Sequence, residues 1–131
     1  MTLNSKPDSE RSLAGLRILV VEDEMMVAMV LEDMLTGFGC DVVKAARVAK
    51  AIHLIATDRI DGAILDVNVA GEPVYPVARA LQTRGIPFIF SSGYGAGGLP
   101  SEYRDCPTLS KPFHENELAP LLAGAMQLER H

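Results

Sequence analysis

The chain contains no tryptophan, and Phe, Trp and Tyr together make up only 5% of its 131 residues. Its core must therefore be largely aliphatic. It also lacks any apolar run near the roughly 18 residues that a membrane span needs, and its first residues, MTLNSKPDSERS, hold no apolar stretch of the kind that marks a secretory signal. Basic residues are not in excess. Lys and Arg number 12 against 17 Asp and Glu, for a net charge of −5, which argues against a nucleic-acid-binding domain. The only cysteines, Cys40 and Cys106, match no metal-ligand spacing and read as reduced thiols of a cytoplasmic protein. No pair of His53, His114 and His131 has metal spacing either.

What is present is alternation. Residues 1–15 are polar and read as a flexible tail, and residues 129–131 as a short C-terminal one. Between them, over 16–128, short apolar runs alternate with stretches of helical period. Ile18-Leu19-Val20-Val21 reads as a strand covered on both faces. Val27, Val30, Leu31, Met34, Leu35 and Phe38 then recur at helical spacing until Gly37 and Gly39 stop the pattern. Asp41-Val42-Val43 is a second strand, followed by a helix marked by Val48, Ile52 and Ile55. Ala63-Ile64-Leu65 is a third, ending at Asp66.

Residues 69–72 read as a loop before a helix opened by Pro73 or Pro76. Pro87-Phe88-Ile89-Phe90 is a fourth strand, ending at Ser91-Ser92, and Thr108-Leu109-Ser110 a weak fifth. Between these two, residues 93–100 hold four glycines and a proline where a helix is due, so an irregular or short fourth helix is expected. A last helix carries Leu118, Leu121, Leu122, Ala125 and Leu128. With Asn116 as its N-cap, Pro120 would fall within the first turn. Strands alternating with helices give an α/β domain, a parallel sheet covered on both faces.

Ligands of open α/β sheets bind beyond the carboxyl ends of the strands. Glu22 and Asp23 end the first strand, Asp66 the third, and Ser91 and Ser92 the fourth, while Lys111 follows the fifth. Convergent carboxylates repel unless a cation neutralises them. Mg²⁺, which takes one or two carboxylates, waters and a phosphate oxygen, suits such a set. Carboxylates, a hydroxyl and a lysine together point to phosphoryl transfer with a carboxylate nucleophile. Taken singly, a strand-end acid is only a cap or a first-turn charge, the reading adopted for Glu24. Asp66 differs because no obvious helix begins beside it. The four methionines Met25, Met26, Met29 and Met34 read as core or core edge.

The pieces ILVVEDE (18–24), AILDVN (63–68), PFIFSSG (87–93) and KPF (111–113) resemble, in order and spacing, the receiver domains of bacterial two-component response regulators. The resemblance runs from about Leu16 to about Leu128. It implies a flavodoxin-like, doubly wound sheet of five parallel strands in the order 2-1-3-4-5. It implies Asp66 as the phosphoacceptor, fed by a sensor histidine kinase, and Mg²⁺ as cofactor. Asp23 matches the direct metal ligand, Glu22 the acid acting largely through water, and Asn68 the backbone carbonyl of the metal shell. Ser92, rather than Ser91, matches the hydroxyl that bonds the phosphoryl group, because the family's residue precedes a small one, here Gly93. Lys111 matches the lysine on the phosphoryl oxygens, and Lys111-Pro112 is a candidate cis bond.

The segment 87–95 is similar to the "FAT GUY" receivers of alphaproteobacteria, with Ser91 and Ser92 where Ala and Thr are usual. That implies a kinase of the HWE or a related class and an output by protein–protein contact to an unnamed downstream protein. Where many receivers carry an aromatic switch residue, this chain has Thr108, so the usual ring switch cannot operate; Tyr94 could cover the site or stand exposed. The rival readings are a phosphatase or hydrolase with an Asp nucleophile and a receiver-like binding module that is never phosphorylated. The hydrolase would need an acid two residues past the nucleophile, where Asn68 stands.

Overall fold

The computed structural model describes residues 8–93 and 98–127. Tyr94 and Leu128 lie outside the described residues. Five parallel strands form the central sheet: β1 (Arg17–Val21), β2 (Asp41–Ala45), β3 (Gly62–Asp66), β6 (Phe88–Ser92) and β7 (Thr108–Ser110). Their order is β2-β1-β3-β6-β7, the doubly wound order expected from the sequence. Two further strands, β4 (Asn68–Val69) and β5 (Glu72–Pro73), make a separate antiparallel hairpin.

Both faces are covered. Helices α3 (Val48–Thr57) and α4 (Tyr75–Thr83) pack on one face with Leu19, Val21, Leu65 and Phe90. Helices α2 (Met25–Gly37) and α5 (Glu115–Ala125) pack on the other with Ile18, Val20, Ile64, Ile89 and Leu109. Successive strand residues thus divide between two cores, as side-chain alternation demands. In α3 the buried positions are Val48, Ala51 and Ile55, and Ile52 is turned outward.

The supposed loop after Asp66 is the β4–β5 hairpin. Its two-residue turn, Ala70-Gly71, has φ of 53° and 83°, the positive pair that matches the twist of such hairpins. The Val74 N–H donates to the Val67 carbonyl (3.0 Å), and Val69 and Val74 are buried, so the chain beyond Asp66 is pinned to the core. After β6, the described residues before β7 include a 3₁₀ turn, Ser101–Tyr103, and no α-helix, in keeping with the glycine content there.

Three expectations need correction. The polar N-terminus is not tail throughout: Asp8–Leu13 forms helix α1. Leu13 is fully buried in the α2–α5 core. The chain beyond it is tied down by Gly15 N–H to the Gly39 carbonyl (2.8 Å) and Asp41 N–H to the Leu16 carbonyl (2.9 Å). A single leucine in a polar hexapeptide carries no period, which is why the helix escaped notice. Next, α5 begins earlier than Asn116. His114 is its N-cap, with its N–H donating to Glu117 Oε1 at 2.7 Å. Pro120 therefore sits inside the helix rather than in its first turn. Last, Met25, Met26 and Met29 are not core but exposed, whereas Met34 packs against it.

Truncating Leu13 tests the docking of α1. Leu13→Ala should destabilise the chain by about 2–3 kcal/mol, the usual cost of emptying a buried leucine site. A urea midpoint equal to wild type would show that α1 contributes nothing to the core.

Candidate functional site

Glu22 and Asp23 follow β1, Asp66 closes β3, Ser92 closes β6 and Lys111 follows β7. Parallel register brings these ends level, since Val21 pairs with Leu65 and Asp66 with Ser91. Carboxylate oxygens of Glu22, Asp23 and Asp66 lie within 4.8 Å of one another. Lys111 Nζ donates to Glu22 Oε1 and to Asp66 Oδ1, each at 3.3 Å. The Lys111 N–H donates to the Ser92 carbonyl (3.0 Å), and the Lys111-Pro112 bond is cis.

Burial divides the acids. Glu22 is 4% exposed, Asp66 is partly buried and Asp23 is exposed. Glu22 Oε2 accepts from the Glu24 N–H at 3.1 Å. Glu24 itself stands at the N-cap position of α2 without a side-chain cap bond. Burial pushes the Glu22 carboxyl up from 4.5 to about 7; the Asp66 charge adds to this, and the Glu24 N–H and Lys111 oppose it. Burial acts to lower the Lys111 ammonium, but Asp66 and then Glu22 outweigh it and hold its pKa above the ordinary value.

Three carboxylates facing one ammonium leave a net negative crevice of hard oxygen donors, which fits a divalent cation of the Mg²⁺ kind. Asn68 is exposed on β4, two residues beyond Asp66. Ser92 is buried at 3% exposure. A cavity of about 230 Å³ opens beside the acids and is lined by Glu22, Asp23, Lys44 and Lys50 among others. A larger groove, about 440 Å³, lies on the far side of Lys111 between Met26, Val27 and Val30 of α2 and Pro112-Phe113.

Two features escaped the sequence reading. Tyr75 stacks on the fully buried Tyr103, with centroids 5.3 Å apart, and Phe90 meets both rings edge-on. This cluster joins the segment after Asp66 to the one after Ser92. Isolated aromatics 28 positions apart give no sequence signal of pairing. The second is the register pairing of Ser91 with Asp66; among the described residues the buried Ser91 hydroxyl has no hydrogen-bond partner.

Glu22 makes the metal-free protein sensitive to pH. Its folded pKa is raised, so its stabilising contribution is complete below the unfolded value and lost as pH rises through about 7. In chelator, wild type should lose about 1–2 kcal/mol more than Glu22→Gln between about pH 5 and about pH 8. Urea unfolding at the two pH values measures this, and parallel losses in the two proteins would refute it.

Comparison with known proteins agrees with this layout. The response regulator receiver domain family matches residues 18–123. The chain is 30% identical over 114 residues to the phyllosphere-induced regulator PhyR of Methylorubrum extorquens, covering 83% of this chain and 43% of that protein. It is 31% identical over 113 residues to the uncharacterised transcriptional regulatory protein YrkP of Bacillus subtilis, covering 78% and 46%. The chain thus spans about half the length of the curated relatives it matches.

Among solved structures, SdrG from Sphingomonas melonis Fr1 shares 41% identity at a TM-score of 0.77, covering 86% of this chain and 97% of that one. The receiver domain of sensor histidine kinase PA1611 from Pseudomonas aeruginosa PAO1, solved with a magnesium ion in its active site cleft, shares 27% at 0.72, covering 87% and 99%. Among the described residues, no helix is long and apolar enough to cross a membrane. With the family matched over most of its length and the strand-end acids and lysine gathered in one crevice, the chain belongs to the response regulator receiver domains of two-component signalling.

Proposed function

We propose that Asp66 accepts a phosphoryl group from the phosphohistidine of a sensor histidine kinase, in a Mg²⁺-dependent step within a cytoplasmic phosphorelay. The observation that carries this reading is the convergence of Glu22, Asp23 and Asp66 around a lysine bonded to two of them. In the step, an Asp66 carboxylate oxygen attacks phosphorus, the phosphorus–nitrogen bond of the donor breaks, and its electron pair stays on the imidazole. Glu22, Asp23, the Asp66 carboxylate and the Asn68 backbone carbonyl would hold Mg²⁺, which supplies charge neutralisation when bound. Lys111 orients Asp66 beforehand and meets the transferred oxygens afterwards, and Ser92 offers them its hydroxyl.

The chain is a signalling acceptor in this reading, not a turnover enzyme. A hydrolase of the same plan needs an acid at Asn68 to activate water. The apolar groove of Met26, Val30 and Phe113 borders Lys111, so a kinase helix of the HWE or a related class seated there would present its phosphohistidine to Asp66. Methionines suit such an adaptable surface. The output is a changed contact with a downstream protein. A phosphoryl group carries roughly −1.5 to −2 charges in place of the single charge of the carboxylate, and with Thr108 bonded to the Cys106 carbonyl (3.1 Å) the response must travel by a route other than a ring at that position.

Incubation with Mg²⁺ and radiolabelled phosphorylated kinase tests the assignment. Asp66→Asn should take no label and Lys111→Ala should be slowed by about 10²-fold or more, the scale of losing one electrostatic stabiliser. Label retained by Asp66→Asn would remove the assignment. Met26→Glu with Val30→Glu should cut labelling by the kinase while leaving labelling by acetyl phosphate intact. Equal losses with both donors would take the groove out of kinase docking.

A further inference from the structure

The parallel register sets a row of side chains behind Asp66, on the buried side of the crevice. On β6, Ile89 belongs to the α2–α5 core and Phe90 to the opposite one. Alternation returns Ser91 to the face of Ile89. On that face, Ser91 pairs with Asp66 on one side and with Leu109 on the other. Asp66 stands two residues beyond Ile64, and Lys111 two beyond Leu109, both of that same core. Neighbouring strands are about 4.8 Å apart, so the Ser91 and Asp66 side chains leave the sheet side by side on one face.

Ser91 is 1% exposed, and among the described residues its Oγ has no hydrogen-bond partner. A buried hydroxyl left unpaired costs about 1–3 kcal/mol, and an alanine would fill the same space without that cost. An oxygen held at this place beside the acceptor points to a partner met only when the site is engaged.

Resting on the reading of Asp66 as acceptor, we infer that Ser91 is a second hydroxyl of the site. It is a positioning residue that donates to the Asp66 carboxylate from the buried side and holds it in line for transfer. It acts through Asp66 and does not touch the donor. Ser92, on the opposite side of the strand by the same alternation, is left for the phosphoryl oxygens. The two serines therefore divide two tasks, one on the acceptor and one on the group transferred.

The full chain, with Mg²⁺ and acetyl phosphate as donor, provides the test. Two pairs of variants hold shape fixed and change only the hydroxyl: wild type against Ser91→Ala, and Ser91→Thr against Ser91→Val. In each pair the protein bearing the hydroxyl should label about three- to tenfold faster at saturating donor, the effect of one neutral hydrogen bond. The half-saturating donor concentration should not move. The urea midpoint of unlabelled Ser91→Ala should equal or exceed that of wild type, since an unpaired group is removed.

Equal maximal rates in either pair would overturn the inference while leaving Asp66 as acceptor. So would a change confined to the half-saturating concentration, which would place Ser91 on the donor. A wild type that takes no label from acetyl phosphate or from a phosphorylated kinase would overturn both.

Discussion

Lys111 sets one ammonium 3.3 Å from the carboxylates of both Glu22 and Asp66, in a crevice where Glu22 is almost wholly buried. Two unit charges about 4 Å apart interact by about 4 kcal/mol at the dielectric of a protein surface. One ammonium cannot balance three carboxylates. Burial, with the Asp66 charge adding to it, raises the Glu22 carboxyl, the remaining negative charge favours a divalent cation, and Lys111 holds Asp66 beside it. Parallel strands ending level are the condition for this arrangement. A slip of one residue in β1 or β3 would turn Glu22 or Asp66 to the other face.

On the proposed function, the same charge balance governs the response to phosphorylation. A divalent cation would bring the crevice near neutrality, and a phosphoryl group on Asp66 would make it negative again by about one unit, since it carries about two charges where the carboxylate carried one. The groups able to answer that charge are Lys111, through its ammonium, and the hydroxyls of β6. Ser92 is linked to Lys111 through the backbone, so a shift of one is felt by the other. Behind Ser92 lie Phe90, Tyr103 and Tyr75 in edge and stacked contact. Packed rings have few intermediate arrangements, and this cluster spans from the segment after Asp66 to the segment after Ser92, where Thr108 offers no ring.

Strands β1, β3 and β6 were legible because each is an apolar run closed or followed at once by a polar residue, and the chemistry sits on those residues. Glu22, Asp66 and Lys111 could be read as convergent before any geometry was known, since a parallel sheet leaves them no other place to go. The hidden features depend on packing or register. Helix α1 is docked by its buried Leu13 and Ser9, and the chain after it lies against Gly39, where a side chain would strike Ala14 at 3.0 Å. The α5 start at His114 turns on a backbone bond to Glu117, and the aromatic cluster joins residues from distant segments. Ser91 and Ser92 are adjacent in sequence, and the pairing of Ser91 with Asp66 shows only in the register.

The central claim is that a phosphoryl group is carried on the Asp66 carboxylate. Borohydride reduces an acyl phosphate to the alcohol, which turns a phosphorylated aspartate into homoserine. Treating the acetyl phosphate-labelled protein this way, in the presence of Mg²⁺, and sequencing its peptides by mass spectrometry locates the group. The account predicts homoserine at position 66, and none when Mg²⁺ is chelated. Homoserine at Asp23, or phosphate recovered on a serine or histidine with position 66 intact, would contradict it.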